Sequence, residues 1–189
     1  MHRAVFIDRD GTLIKDVPYN ANPALISLEN YAVEMLQELK RENFLLIVIS
    51  NQSGVARGFF SEADVDRMHE TIQQILSAHN VQLDAFYYCP HLVEGIIKEY
   101  AIDCDCRKPK PGLIYRAAKD FNINLNESWM IGDILNDVEA GNAAGCKTIL
   151  IANGNETEWI LNAQRLPDYE ARDLKHAAQI VMKHELEGV

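Results

Sequence analysis

The stretch Ala4-Val5-Phe6-Ile7-Asp8-Arg9-Asp10-Gly11-Thr12-Leu13 shows a pattern that recurs along the chain and indicates the fold class. Four apolar residues end at an acidic pair, which is typical of a buried strand with polar side chains at its carboxyl end. Similar apolar runs predict further strands at residues 45–49, 129–131 and 147–152. The first two of these also end at polar residues, Ser50 and Asp133.

Segments with helical spacing lie between and after these strands. They predict helices over residues 28–43, 61–79, 111–121, 135–144 and 172–187. Ser61 suits the N-cap of its helix, and Pro111 suits a first turn. Apolar strands that alternate with helices favour an α/β fold with a doubly wound, mostly parallel sheet covered on both faces. Because such sheets bind ligands beyond the carboxyl ends of their strands, we expect the polar residues there to converge.

Length and charge limit the functional classes. The 189 residues suit one domain, expected over residues 1–189, and a formal charge of −10 disfavours nucleic acid as a partner. No apolar run approaches the roughly 20 residues that cross a bilayer, and the first residues do not resemble a signal peptide. We therefore expect a cytoplasmic protein with no membrane partner, and a monomer by default.

Acidic residues follow two of the predicted strands. Asp8 and Asp10 come after the first strand, and Asp133 and Asp137 come after the strand at 129–131. Carboxylates held close together repel each other unless a cation or a shared proton intervenes. We prefer the cation, since oxygen ligands of this kind suit Mg²⁺. Any one of these residues alone is equally compatible with capping a turn or a helix, but the whole set at strand ends favours a functional site.

Two further segments offer groups that suit a phosphate. Residues 50–54, Ser-Asn-Gln-Ser-Gly, supply hydroxyls, amides and backbone N–H groups, although an ordinary polar turn has the same composition. Residues 107–112 include Arg107 and Lys108 just before a predicted helix, and taken alone they indicate a solvated loop. Beside the acidic residues, a lysine of this segment is suited to offset the charge of a transferring phosphoryl group.

The long, irregular segment at residues 89–106 carries a metal-binding pattern. It contains two short-spaced pairs separated by twelve residues, Cys89 with His91 and Cys104 with Cys106. Such pairs predict a tetrahedral Cys₃His zinc site. A redox-active thiol pair would have another spacing, and buried core cysteines suit a polar loop poorly, whereas Cys146 stands apart and is expected in the core. Four protein ligands fill the tetrahedron, so we expect a structural zinc that places Arg107 and Lys108 at the catalytic crevice.

These segments, in this order, resemble the haloacid dehalogenase superfamily of phosphohydrolases over nearly the whole chain. The resemblance lies in residues 8–13, in Ser50-Asn51, in Lys108 and in Gly132-Asp133 with Asp137. It implies a Rossmann-like fold in which Asp8 is the nucleophile that forms an aspartyl phosphate, while Asp10 acts as acid and then as base. It also implies Mg²⁺ bound by the carboxylates of Asp8 and Asp133 and the carbonyl of Asp10, with Asp137 in support. Ser50, Asn51 and Lys108 would then hold the phosphoryl group.

Within the superfamily, the chain resembles the D-glycero-D-manno-heptose 1,7-bisphosphate phosphatases. The shared features are residues 50–58, the long span between His91 and Cys104, and residues 104–112. The resemblance implies Mg²⁺-dependent removal of the C7 phosphate from a small sugar bisphosphate at a site with a minimal cap. The implied substrate contacts are Asp16, Tyr19, Ser50, Asn51, Gln52, Ser53, Arg57, Arg107 and Lys108.

Two alternatives remain from the sequence. Histidinol-phosphate phosphatases share the zinc loop, so histidinol phosphate or another small phosphomonoester is a second candidate substrate. A non-catalytic, zinc-stabilised binding module is the alternative of another class. The intact set Asp8, Asp10, Lys108 and Asp133 disfavours that module, because a site that had lost its activity would be expected to lose at least one of them.

Overall fold

The computed structural model describes residues 1–187 and contains one six-stranded sheet, in which all neighbouring strands run parallel. The strands are β1 (Arg3–Ile7), β2 (Phe44–Asn51), β3 (Ala85–Cys89), β4 (Trp129–Gly132), β5 (Lys147–Ile151) and β6 (Tyr169–Ala171). Their spatial order is β3-β2-β1-β4-β5-β6. The predicted doubly wound parallel sheet is therefore confirmed.

Five α-helices cover the two faces of this sheet. They are α1 (Ala32–Arg41), α2 (Glu62–Ser77), α3 (Gly112–Phe121), α4 (Leu135–Ala144) and α5 (Leu174–Glu187), with short 3-10 turns at Pro23–Leu25 and Leu125–Glu127. Buried apolar residues of α1, α2 and α5 pack together on one face, and those of α3 and α4 pack on the other. Alternate strand residues serve the two faces: Val5 and Ile7 belong to the first core, and Ala4 and Phe6 to the second.

The chain changes direction across the sheet between β1 and β4. From β1 it moves outward through β2 to β3, and it then returns to the opposite side of β1 to form β4. The register pairs Ile7 with Ile131, so Asp8 and Asp133 lie near each other beyond the carboxyl ends of neighbouring strands. A topological switch point of this kind is where open parallel sheets bind ligands.

Some boundaries differ from the sequence-based expectation. Helix α1 begins at Ala32 rather than at residue 28, because Leu28 pairs with Ile14 in an isolated antiparallel bridge. Pro111 is the N-cap residue of α3 and not part of its first turn. Ser61 caps α2 as predicted, through a reciprocal capping box with Asp64.

The two outer strands were not predicted. Strand β3 has the sequence AFYYC and is only half-buried over most of its length, so it lacks the continuous apolar run of a central strand. Strand β6 has three residues, of which only Ala171 is buried. Cys146 is buried in the second core, as expected. Across residues 1–187, no helix combines the length and hydrophobicity that a membrane span requires.

Candidate active site

Three buried carboxylates meet at the switch point. Asp8 directly follows β1, Asp133 directly follows β4, and Asp137 lies in the first turn of α4. One carboxylate oxygen of each lies within 4.8 Å of the others, and all three residues are buried. Gly132 permits this approach, because a Cβ at that position would lie 2.3 Å from the side chain of Asp137.

Lys108 enters this cluster from the segment before α3. Its ammonium donates to Asp8 Oδ1 at 2.5 Å, to Asp137 Oδ1 at 2.6 Å and to the carbonyl oxygen of Ile49 at 3.0 Å. The lysine is itself buried, so these charge-assisted hydrogen bonds are shielded from water. One ammonium faces three carboxylates, which leaves an excess of negative charge when all three are ionised.

This charge excess appears in the pKa values. Burial, reinforced by Asp137, raises the pKa of Asp8 to about 7 even though Lys108 opposes the shift. Burial and the neighbouring Asp8 raise the pKa of Asp133 to about 6. Burial also works against the charged form of Lys108, but Asp137 and Asp8 outweigh it and raise the lysine pKa. Buried oxygen ligands that are short of positive charge fit a hard divalent cation such as Mg²⁺.

Asp10 lies at the edge of this cluster and is oriented by two side chains. The guanidinium of Arg9 donates to its carboxylate through Nε and Nη2, at 2.9 to 3.1 Å. Gln52 donates from Nε2 to Asp10 at 3.0 Å and to Ser50 Oγ at 2.7 Å, and its own carbonyl accepts from Arg9 at 2.9 Å. The Asp10 side chain keeps 30% of its surface exposed, so it faces solvent from a fixed position.

A cleft of about 290 Å³ opens beside Asp10. Five of the sequence-predicted substrate contacts line it: Asp16, Tyr19, Asn51, Gln52 and Ser53. The side-chain amide of Asn51 is hydrogen-bonded to the backbone of Lys108 at one end of this cleft.

The other four predicted contacts lie around the cleft rather than in its wall. Ser50 is buried behind Gln52, and Lys108 is in the acidic cluster. The guanidinium carbon of Arg57 lies 5.7 Å from the ring centroid of Tyr19. Arg107 donates to the carbonyl oxygen of His91 at 3.2 Å, so it belongs to the neighbouring Cys/His loop.

The predicted zinc ligands form a second cluster. Cys89, His91, Cys104 and Cys106 each offer one atom within 4.8 Å of the others. The sulfur atoms are 3.0 to 3.5 Å apart, and His91 Nδ1 lies 3.2 Å from Cys106 Sγ. These separations are somewhat shorter than the roughly 3.8 Å between thiolates on a tetrahedral zinc ion, so the sulfur atoms lie near enough to share one ion. Hydrogen bonding with Cys89, with smaller contributions from Cys104 and His91, lowers the pKa of Cys106 to about 5 although burial opposes the shift, which favours the thiolate form that binds zinc.

The Cys/His cluster is joined to two segments next to the acidic site, the end of β2 and the segment that carries Lys108. Cys89 ends β3 and pairs in register with Asn51 of β2. Cys106 lies two residues before Lys108, and the Asp105 carbonyl accepts from the amide of Gly112 at the start of α3. A metal bound here would therefore fix the segment that carries Lys108.

Sequence reasoning missed two groups that contact Asp133. Thr12 Oγ1 donates to Asp133 Oδ1 at 3.1 Å, and Asn155 Nδ2 donates to Asp133 Oδ2 at 2.7 Å. Thr12 lies within residues 4–13, the stretch that carries Asp8 and Asp10, so its position in the sequence already pointed to the site. Asn155 lies beyond β5 in a polar loop without a recognisable motif, and only the folded chain brings it to the site.

Similarity to known proteins agrees with this geometry. A family described as HAD-hydrolase-like matches residues 105–177. The D-glycero-beta-D-manno-heptose-1,7-bisphosphate 7-phosphatase of Pasteurella multocida is 44% identical over 155 residues, which cover 82% of this chain and 84% of that protein. The phosphatase of the same name from Escherichia coli K12 is 37% identical over 169 residues, covering 85% of this chain and 88% of that protein.

Solved structures show the same fold. A Mesorhizobium loti protein described as HAD-like superposes with a TM-score of 0.84 at 28% identity, over 96% of this chain and 87% of that one. The D,D-heptose 1,7-bisphosphate phosphatase of B. bronchiseptica, complexed with magnesium and phosphate, gives a TM-score of 0.79 at 25% identity. That match covers 96% of this chain and 99% of the B. bronchiseptica chain.

Proposed function

The chain belongs to the D-glycero-beta-D-manno-heptose-1,7-bisphosphate 7-phosphatase family of HAD-like hydrolases, and we propose that it hydrolyses the C7 phosphate of such a heptose bisphosphate through Asp8. One observation carries the residue assignment: the buried ammonium of Lys108 bridges Asp8 and Asp137 beside Asp133, at the switch point of the sheet. A carboxylate, a fixed ammonium and a cation-binding group in contact are the parts that phosphoryl transfer needs.

Asp8 acts as the nucleophile. Its carboxylate attacks the C7 phosphorus, the bond to the sugar oxygen breaks, and Asp8 becomes an aspartyl phosphate. Only the ionised carboxylate can attack, whereas burial raises the pKa of Asp8 to about 7. Lys108 favours ionisation through its 2.5 Å contact and remains to offset the charge on the phosphoryl oxygens.

Asp10 acts first as the general acid and then as the general base. It protonates the departing sugar oxygen, and the resulting carboxylate then takes a proton from the water that hydrolyses the aspartyl phosphate. Arg9 and Gln52 hold the Asp10 carboxylate at the mouth of the cleft, where both the leaving oxygen and water have access.

Two metal ions have suitable sites. The carboxylates of Asp8 and Asp133 and the carbonyl of Asp10 would hold Mg²⁺, with Asp137 retaining Lys108. When bound, Mg²⁺ supplies charge that neutralises the phosphoryl oxygens and favours the ionised nucleophile. Cys89, His91, Cys104 and Cys106 would hold a structural Zn²⁺ that fixes the Lys108 segment.

The substrate binds in the open cleft beside Asp10. Asp16, Tyr19, Gln52 and Ser53 offer polar groups for the sugar. Arg57 or Arg107, which lie outside the lining, would supply a cation for the second phosphate. All described strands share one sheet, which supports one domain working with short loops in place of a cap. We also infer a cytoplasmic location, because the zinc-ligand thiols must stay reduced.

The experiment that tests this function compares substrates. Mg²⁺-dependent phosphate release is measured from both anomers of the heptose 1,7-bisphosphate and from histidinol phosphate, with Asp8→Asn protein as the blank. We expect a clear preference for one heptose anomer, and release by the Asp8→Asn protein no greater than that of a sample without enzyme. A preference for histidinol phosphate would contradict the proposed substrate while leaving the phosphatase chemistry intact.

A further inference from the structure

The loop that follows β5 crosses the carboxyl ends of β1 and β4. One of its side chains contacts the acidic cluster itself, and two others contact the segments on either side of that cluster. Asn153 Nδ2 donates to the carbonyl of Gly11 at 2.8 Å, and Asn155 Nδ2 donates to Asp133 Oδ2 at 2.7 Å. Glu156 accepts from the amide of Leu135, the first residue of α4, at 2.5 Å. The loop thereby joins the turn after Asp8 to the start of the helix after Asp133.

We propose that Asn155 is a positioning residue that orients Asp133 as a ligand and so sets the affinity of the site for its divalent cation. The inference rests on the proposed function, which makes Asp133 a ligand of Mg²⁺. Asn155 itself makes no bond to substrate or metal.

The two oxygens of Asp133 each receive one neutral donor. Thr12 donates to Oδ1 and Asn155 donates to Oδ2, so the plane of the carboxylate is fixed from both sides. A carboxylate oxygen has two lone-pair directions, and one on each oxygen therefore remains for a cation. Groups that hydrogen-bond to a metal ligand fix its orientation, and their removal typically weakens metal binding about 10- to 100-fold.

Gly11 provides the room for this contact. A Cβ at Gly11 would lie 2.2 Å from Asp133 Oδ2 and 2.5 Å from Asn155 Nδ2. Its φ of +77° is also a conformation that favours glycine. The glycine after Asp10 thus serves the loop at residues 153–156 as well as its own turn.

Asn153 sets the position of Asn155 within the loop. Its Oδ1 accepts from the Asn155 amide at 3.1 Å while its Nδ2 is bonded to Gly11. Gly154 between them has a φ of +90°, which makes the tight turn possible. Asn155 lies in an exposed loop, so changing its side chain leaves the two cores intact.

The test measures Mg²⁺ binding directly. Calorimetric titration with Mg²⁺, without substrate, is carried out on the wild-type protein and on Asn155→Ala and Asn155→Leu. The leucine keeps the bulk of asparagine but cannot donate. Asn162→Ala is the matched control, because Asn162 lies in the same connection and its side chain accepts only from the amide of Gln164 in the described structure.

We expect both Asn155 variants to raise the Mg²⁺ Kd at least about 10-fold, with the control unchanged. At saturating Mg²⁺, kcat of both variants should return to within about threefold of wild type, since no reacting group has been removed. An unchanged Mg²⁺ Kd in either variant would overturn the inference. If kcat fell while the Kd stayed the same, Asn155 would be a substrate contact rather than a residue that positions Asp133.

Asp133→Asn separates this inference from the function beneath it. If the wild-type protein binds Mg²⁺ and the Asp133→Asn protein does not, the proposed metal site stands whatever the Asn155 variants do. Wild-type protein whose Mg²⁺ binding is unaffected by Asp133→Asn would remove the metal assignment, and the role of Asn155 would be rejected with it.

Discussion

Asn51 and Lys108 are joined by a reciprocal pair of hydrogen bonds. Asn51 Oδ1 accepts from the Lys108 amide at 3.0 Å, and Asn51 Nδ2 donates to the Lys108 carbonyl at 3.0 Å. The sequence predicted Asn51 as a phosphate contact, which stays a prediction, and the structure shows its side-chain amide bonded to the backbone of the residue that reaches Asp8. Asn51 thus fixes the backbone of Lys108, and so helps to hold the Lys108 ammonium beside Asp8.

Replacement of Asn51 should therefore lower kcat more than it raises KM. We expect Asn51→Ala to reduce kcat by about 10- to 100-fold while KM changes less than about threefold, because Lys108 loses its alignment and the cleft keeps its other groups. Steady-state phosphate release with the heptose bisphosphate measures both constants. A large rise in KM at unchanged kcat would instead make Asn51 a direct substrate contact.

Replacement of Lys108 should destabilise the fold as well as stop catalysis. Lys108→Met leaves Asp8 and Asp137 buried without their cation, and breaking a buried ion pair typically costs about 3 to 5 kcal/mol in the free energy of unfolding. Urea unfolding of the zinc-loaded protein without added Mg²⁺ measures this loss. Lys110→Met is the control, since Lys110 pairs with Asp103 at the exposed surface and its loss should leave the unfolding midpoint unchanged. Equal midpoints for the two variants would contradict the described Lys108 contacts.

The central strands and the acidic cluster could be predicted because the same sequence pattern, an apolar run that ends at polar residues, indicates both. In a parallel sheet, an apolar strand ends at the edge where ligands bind, so the polar residues after residues 4–7 and 129–131 marked the site. Strand β3 gave no such signal, because its aromatic residues are half-buried, and β6 is too short to show a pattern. The start of α1 depended on the pairing of Leu28 with Ile14, which periodicity along the chain does not contain.

The role of Asn155 could not be found from the sequence for a related reason. It is separated from Asp133 by α4 and β5, and its contact exists only because Gly11 leaves space between the two. Local patterns identify residues on the same strand end or in the same motif. They do not identify a side chain that reaches the site from an exposed loop.

Removal of the zinc should release the Lys108 segment. We expect Cys106→Ser to lose most of the bound zinc and to lower the unfolding midpoint and activity together, because the cluster ties β3 to the start of α3. Metal content by elemental analysis and thermal unfolding test this. Cys146→Ala is the matched control, since Cys146 is buried in the second core and is not one of the four clustered ligands, so this variant should keep its bound zinc. Wild-type protein purified without zinc and fully stable would contradict the structural role.

Mg²⁺ binding should weaken at acid pH. The folded-state pKa of Asp8, about 7, and that of Asp133, about 6, lie above the ordinary value of 3.8. These groups therefore favour the metal-free fold at low pH, and this stabilisation is lost as the pH rises through about 6 to 7. Mg²⁺ must displace the same protons, so its Kd should be higher at about pH 5.5 than at about pH 8.

Calorimetry in buffers of different ionisation enthalpy counts the protons released on Mg²⁺ binding. We expect release at acid pH that falls towards zero at about pH 8. Asp8→Asn should release fewer protons, because only Asp133 and Asp137 remain to titrate. Mg²⁺ affinity that is constant over this range would show that the carboxylates of the cluster are not its ligands.

The chemical state of Asp8 during turnover tests the proposed mechanism most directly. Wild-type protein is mixed with the heptose 1,7-bisphosphate and Mg²⁺ and quenched in acid within the first turnovers, and peptide mass spectrometry then locates any phosphoryl group. We expect a phosphoryl group on Asp8, and an Asp8→Asn protein that carries none and turns over at least about 10⁴-fold more slowly. Phosphate release with Asp8 unmodified, or an Asp8→Asn rate within about tenfold of wild type, would contradict this mechanism.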